Sequence, residues 1–191
     1  MIKITKLLLV SLILFSSQFS HAADYKIDIK GQHAFIQFRI IHLGYSWLYG
    51  NFNKFSGDFS FDKNNPEAAK TSVVINMASV DTNHAERDKH LRGDAFFDVK
   101  NYPEMKFEST HFSPTEENMG MLYGNLTLHG VTKPVSIKLT HMGEGKDPWG
   151  GYRSGFSGTA EINRSDFGIT KKLGPGTEKV EIILSIEGIR K

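Results

Sequence analysis

The feature that most constrains this chain is a period-two alternation of apolar and polar side chains that recurs along nearly its whole length, the signature of half-buried β-strands. It is cleanest near the end, where Val180, Ile182, Leu184 and Ile186 alternate with Lys179, Glu181, Ser185 and Glu187. Residues 33–42 place Ala34, Ile36, Phe38 and Ile40 on one face and Gln37 and Arg39 on the other. Residues 55–61, 71–80, 104–112, 119–129, 134–142 and 151–162 carry the same pattern, through Phe59, Val73, Phe107, Leu126, Ile137 and Phe156 among others. That makes eight or nine strands, depending on whether residues 25–30 stand alone or begin the 33–42 run. Turn chemistry separates most of them: 62–66, 130–134, 143–151 and 174–176 are rich in Gly, Pro, Asn and Asp. The one interruption, residues 83–98, reads as a short helix around 84–92 followed by a turn. There Asn83 and Glu86 stand at capping-box spacing. Its Glu86-Arg87-Asp88 run is expected to be a solvated or locally paired helix face.

So many alternating strands with so little helix predict an all-β fold. A closed antiparallel barrel removes the unpaired edges that invite aggregation. Eight strands leave an interior just wide enough for side chains or one slender ligand. A two-sheet sandwich can be built from the same strands.

The first 22 residues are of another kind. Lys3 and Lys6 precede an apolar run over residues 7–15, and Ser20-His21-Ala22 places small residues at −3 and −1 of a cleavage site, the pattern of an export signal. The run is far short of the ~20 residues a membrane-spanning helix needs. Removal at Ala22 leaves residues 23–191 as one domain destined for the periplasm, and takes away two lysines and no acid. The formal net charge of +2 thereby falls to 0. No cluster of Lys and Arg marks a nucleic-acid surface. With no Cys, disulfides, thiolate metal sites, thiol catalysis and a lipoprotein anchor are excluded, and stability rests on packing and sheet hydrogen bonds.

Catalytic signatures are absent: the chain has neither a G-x-S-x-G elbow nor a phosphate-binding glycine loop. Its eight His show no short spacing of the kind zinc sites use, so no metal site is expected. The Phe-rich faces, with Gly44, Gly50, Gly57, Gly124, Gly155 and Gly158 among them, fit two readings. Either the barrel is filled and the glycines allow curvature, or the glycines mark close approaches in a pocket for a long apolar molecule.

The motifs His33-Ala34-x-Ile36-x-Phe38, His42-Leu43-Gly44, the run Asp81 to Leu91, Phe96-Phe97-Asp98, Tyr102-Pro103, Gly124 to Pro134, Asp147-Pro148-Trp149-Gly150 and Arg164-Ser165-Asp166-Phe167-Gly168 resemble, in this order, those of the YceI family. The resemblance implies an extended, lipocalin-like barrel of eight antiparallel strands in the periplasm. It implies a central pocket for an isoprenoid lipid, such as a quinone or its precursor, or another long amphiphile. It carries over no catalytic residue and no required cofactor, and it lifts the pocket reading above the filled core. Alternation then assigns Ile36, Phe38, Ile40, Phe59, Phe107, Leu126, Leu128, Phe156, Ile182 and Leu184 to the wall. Leu43, Trp47, Phe97, Trp149 and Phe167 are assigned to the mouth or lid, and His42, Arg87, Asp147 and Arg153 are the candidates for head-group contact. Contact with a membrane surface and pairing into a homodimer are compatible with this reading. Two other functions compete with a lipid carrier, store or sensor. One is an enzyme acting on the lipid, with His42, Asp98, Asp147 and Asp166 as acids or bases. The other is a partner-binding barrel with a filled core, made under stress.

Overall fold

The computed structural model describes residues 22–191; the export signal expected over residues 1–22 lies, apart from Ala22, outside them. Eleven strand segments follow one another: β1 (Ala23–Ile27), β2 (Phe35–His42), β3 (Ser46–Phe52), β4 (Phe55–Phe61), β5 (Lys70–Asn76), β6 (Val80–Asp81), β7 (Glu104–Glu116), β8 (Met119–Leu128), β9 (Val131–Lys146), β10 (Tyr152–Asn163) and β11 (Lys179–Arg190). Every pairing is antiparallel. The order β1-β4-β5-β7-β8-β9-β10-β11 returns on itself because β11 also pairs with β1, closing a barrel of eight strands. The sandwich alternative is thereby removed.

The other three segments form a second tier. β2 pairs with β11 at residues 180–185, and β1 pairs with the same edge of β11 at residues 188–190. The two are halves of one interrupted strand, which is why the sequence allows a count of eight or nine. β3 continues from β2, and β6 from β3, where the ladder stops.

Local chemistry accounts for the joins. Leu128 faces Val131, and the two residues between them, His129 and Gly130, both have positive φ (51° and 75°), the requirement of a tight two-residue hairpin. The turn expected over 130–134 is thus shorter, and Pro134 lies inside β9 opposite Asn125. The β9–β10 ladder reaches only to Lys138, so Pro134 occupies a stretch with one strand neighbour, where a missing N–H is tolerated. In the same way β9 runs through Gly143, and the join expected over 143–151 begins only after Lys146.

Helix α1 (Ala85–Arg92) falls where the sequence places it, with a different cap. The His84 ring accepts from the Arg87 N–H at 3.2 Å. Asn83 instead takes a left-handed conformation (φ 58°) and donates its N–H to Asp81. Asp88 is not solvated: it is buried and accepts from both the N–H and the hydroxyl of Thr82, at 2.9 and 2.5 Å. Arg87 donates to the Thr82 hydroxyl and carbonyl at 2.7 Å each, so the charged run ties α1 to the chain end of β6.

Inside, phenyl rings lie over strand glycines. The Phe38 ring covers Gly50, its register partner, and the Phe107 ring covers Gly124 on the adjoining strand. A Cβ on Gly124 would also stand 2.5 Å from the Glu108 carbonyl, a backbone atom that cannot move aside. Forcing a methyl into such a contact costs about 1–3 kcal/mol. Gly124→Ala should therefore lower the unfolding free energy measured by urea titration by that amount, whereas Gly145→Ala, where a Cβ meets nothing within 4 Å, should stay within about 0.5 kcal/mol of the wild type.

Candidate functional site

The inward faces of the strands line two neighbouring chambers. The inner one, about 120 Å³, lies in the closed part of the barrel and is walled almost wholly by apolar side chains. The outer one, about 760 Å³, opens between β2, β3, α1 with the segment after it, and residues 162–182. That volume lies in the range of small-molecule sites. Ile36, Met105, Ile162 and Ile182 line both chambers and stand between them, at the waist of the interior.

All ten residues assigned to the wall from alternation line this channel. Phe38, Ile40 and Leu128 face the outer chamber; Phe59, Phe107, Leu126, Phe156 and Leu184 face the inner; Ile36 and Ile182 stand at the waist. The inner end is stoppered by rings: Phe156 meets Phe59 and Phe61 edge-on, and His141 packs against Phe61 and Phe156 at 4.7 and 4.9 Å. Burial pushes the His141 imidazole below its usual pKa, and its Nε2 lies 3.1 Å from the buried Ser154 hydroxyl.

The mouth divides differently from expectation. His42, Leu43, Arg87 and Phe97 line the outer chamber. Trp47 does not; Leu48, one residue on, reaches the chamber instead. The Trp47 ring is partly exposed, with the Arg39 guanidinium 4.2 Å from its centre. Phe167 is buried in the core at 1 % exposure but touches neither chamber. Trp149 is largely exposed on the β9–β10 connection, at the end of the barrel away from the outer chamber.

Arg153 and Asp147 are also at that far end, and they form a clasp. Arg153 Nε donates to Asp147 at 2.7 Å, and its Nη1 donates to Asp28 at 2.7 Å and to Glu187 at 2.5 Å. Asp147 further accepts the N–H of Trp149 and of Gly151. The cluster joins the β9–β10 connection to β1 and β11. The hydrogen bond from Arg153 is the main cause that lowers the Asp28 carboxyl to about 2, and it lowers Asp147 as well. Asp28, His33 and Glu187 offer donor atoms within 4.8 Å of one another, but the Arg153 guanidinium already fills the place a cation would take.

The candidate acids and bases do not converge. His42 alone among them lines the channel; Asp147 belongs to the clasp, while Asp98 and Asp166 accept from the neighbouring Asn101 and Asn163 side chains. What sequence reasoning missed is the basic rim. Lys89, His90, Arg164 and Lys171 line the outer chamber beside Arg87 and His42, with Asp94 the single carboxylate among the lining residues. These side chains sit on the helix and on irregular segments, where no periodicity reports facing. Arg164 is buried and donates to the Thr177 and Ile169 carbonyls at 2.7 Å each, pinning the segment from 169 to 177 beside the mouth.

Comparison with known proteins agrees with this geometry. The family model described as "YceI-like domain" matches residues 25–188. A UPF0312 protein of Ectopseudomonas mendocina is 62 % identical over 169 residues, 88 % of each chain. The crystal structure of the Campylobacter jejuni YCEI protein superposes with a TM-score of 0.72 at 32 % identity, covering 80 % of this chain and 90 % of that one. A polyisoprenoid binding domain from Saccharophagus degradans, implicated in plant cell wall breakdown, shares the fold with a TM-score of 0.66 at 16 % identity, over 90 % of this chain and all of the other.

The clasp carries a pH signature. Asp28 has its carboxyl at about 2 in the fold, against about 3.9 in an unfolded chain. A depressed pKa stabilises the fold above the unfolded value, and that stabilisation is lost as pH falls through the folded value. Wild-type thermal stability should therefore decline between about pH 4 and 2. Asp28→Asn should be less stable at neutral pH and converge on the wild type at the acid end. Parallel curves for the two proteins would show that the Asp28–Arg153 pair does not supply this dependence.

Proposed function

This chain belongs to the YceI family, and from that premise we propose that it holds a long-chain isoprenoid lipid, a quinone or its precursor, within the barrel. The observation that carries this reading is the pair of neighbouring chambers, an outer one of about 760 Å³ and an apolar one in the closed barrel, with only the side chains of Ile36, Met105, Ile162 and Ile182 shared between them; the tail is taken to pass this waist. Such a shape suits a molecule with a slender apolar tail and a larger head. The structural relative described as polyisoprenoid binding supports the same ligand class. The setting we propose is the periplasm, reached through the N-terminal export signal, where the protein serves transport, storage or sensing of the lipid.

Energetics limit how such a protein works. Each buried CH₂ gains roughly 0.8 kcal/mol relative to water. A prenyl tail in a bilayer is already out of water, so the barrel gains little from hydrophobicity alone and must compete by close packing and by contacts at the head. The phenyl-over-glycine packing and the basic rim are the features that supply these. The filled-core alternative has the outer chamber against it. Nothing in the placement of His42, Asp98, Asp147 and Asp166 favours an enzyme.

Protein purified from its native periplasm should carry excess mass under gentle ionisation that vanishes on denaturation, and organic extraction should recover a prenyl lipid. Recovery of none, together with no uptake of added ubiquinone, would overturn the proposal. Narrowing the waist gives a second test. Ile182→Trp should shift the bound population toward shorter tails by mass spectrometry; an unchanged tail distribution would mean that the tail does not pass the waist.

A further inference from the structure

Five of the seven large apolar side chains that stand exposed among the described residues belong to a single hairpin. Phe35, Leu43, Tyr45, Trp47 and Tyr49 all lie on β2, β3 and the turn between them, and Tyr45 is 86 % exposed. The other face of that hairpin, through Ile40 and Leu48, lines the outer chamber. The outer face of the hairpin thus presents Phe35, Trp47 and Tyr49 beside the polar Gln37, Arg39 and Asn51, with Leu43 and Tyr45 at the tip. A strand pair with one face on a core and the other in water alternates apolar with polar; this one sets large apolar side chains among the polar ones of its outer face, with Leu43, Tyr45 and Trp47 at and beside its tip. Its tip is a tight turn, with Leu43 and Gly44 at positive φ and the Tyr45 N–H donating to the His42 carbonyl at 2.9 Å, which holds Tyr45 outward.

The same mouth carries the basic rim: Arg87, Lys89 and Lys171, joined by His42 and His90, against Asp94. Tyr and Trp, with an apolar ring and a polar tip, are the residues that settle at a lipid–water boundary. Lys and Arg close to such a boundary are drawn to anionic head groups. We propose that the outer face of the β2–β3 hairpin and the basic rim together dock this protein on an anionic bilayer surface, with the channel mouth held against the lipid. The inference rests on the lipid-holding function proposed above and says how a tail enters: directly from the bilayer, without crossing water. A second copy of this chain is the poorer occupant, because a two-fold pairing over this mouth would set one basic rim against another.

Flotation with vesicles of phosphatidylcholine and phosphatidylglycerol, against phosphatidylcholine alone, tests the docking. Wild type and Trp149→Phe, altered at the far end, should float with the anionic vesicles and be released by high salt. The Tyr45→Ser/Trp47→Ser double variant should lose flotation yet still take up ubiquinone dispersed without vesicles, since neither side chain lines the channel. Lys89→Glu/Lys171→Glu should weaken association with the anionic vesicles about tenfold or more, as expected for charges at such a surface. Circular dichroism establishes that each variant is folded. If the wild type takes up dispersed ubiquinone but never floats, or floats equally after the aromatic substitutions, the docking surface is wrong while the lipid-holding reading stands. A dimer that the aromatic substitutions dissolve, without vesicle binding, would assign the hairpin to a second copy and overturn the proposal. Failure to take up dispersed ubiquinone counts instead against the lipid-holding reading, and would remove the basis of the docking with it.

Discussion

Strand β11 is bonded along both edges, and the rest of the structure depends on that. It pairs with β10 over eleven successive residues, and its other edge is shared between β2 and β1. A sheet closed in this way has an inside and an outside, so every strand's alternation is committed: one set of side chains fills or lines the interior, and a slip of one residue would turn all of them around. The closure is complete only through β1, β4, β5 and β7. In the tier built from β2, β3 and β6 the ladder ends at β6, short of β7. The chamber is narrow where the ring is complete and several times larger in the tier where it is not. A channel that is open at one end and stoppered at the other follows from where the hydrogen bonds stop.

The two ends of the barrel are electrostatically distinct. At the closed end the Arg153 guanidinium satisfies three carboxylates and locks the β9–β10 connection to the barrel wall. Charge-assisted hydrogen bonds from Arg153 hold Asp28 and Asp147 in place, and bonds of that kind are well placed to stabilise the fold. At the open end, cationic side chains surround the mouth with one carboxylate among them. The first arrangement consumes its charges in mutual contacts. The second leaves charge directed at whatever approaches, which is what recognition of an anionic group requires.

Glycine placement links packing to the channel. The far edges of the Phe38 and Phe107 rings reach over Gly50 and Gly124, where a Cβ would collide with them. The two readings of the Phe and Gly pattern, a curved filled core and a pocket with close approaches, are therefore not exclusive here: the close approach is made by the protein's own rings, which also line the chambers.

Much of this was legible in the chain. The wall residues, from Ile36 to Leu184, follow from alternation because a strand side chain has only two directions to choose from, and burial of the apolar set decides between them. The helix is legible to within a residue because a capping position precedes it, although His84 rather than Asn83 fills that role. The mouth was legible only in part: His42, Leu43, Arg87 and Phe97 line the outer chamber as assigned. Trp47 is displaced from the chamber by its neighbour Leu48, Phe167 is drawn into the core, and Trp149 and Arg153 lie at the opposite end. Lys89, His90 and Lys171 gave no signal. These residues sit on a helix, on turns or beside strand ends, where direction is set by contacts with segments distant in sequence and no local period exists to report it. Sequence alone therefore determined an all-β fold and which side chains face inward, while the closure of the barrel, implied only by the family resemblance, was settled by the β11–β1 pairing. The tertiary structure alone decided which end opens and which charges surround the opening, because both depend on where ladders between distant segments end.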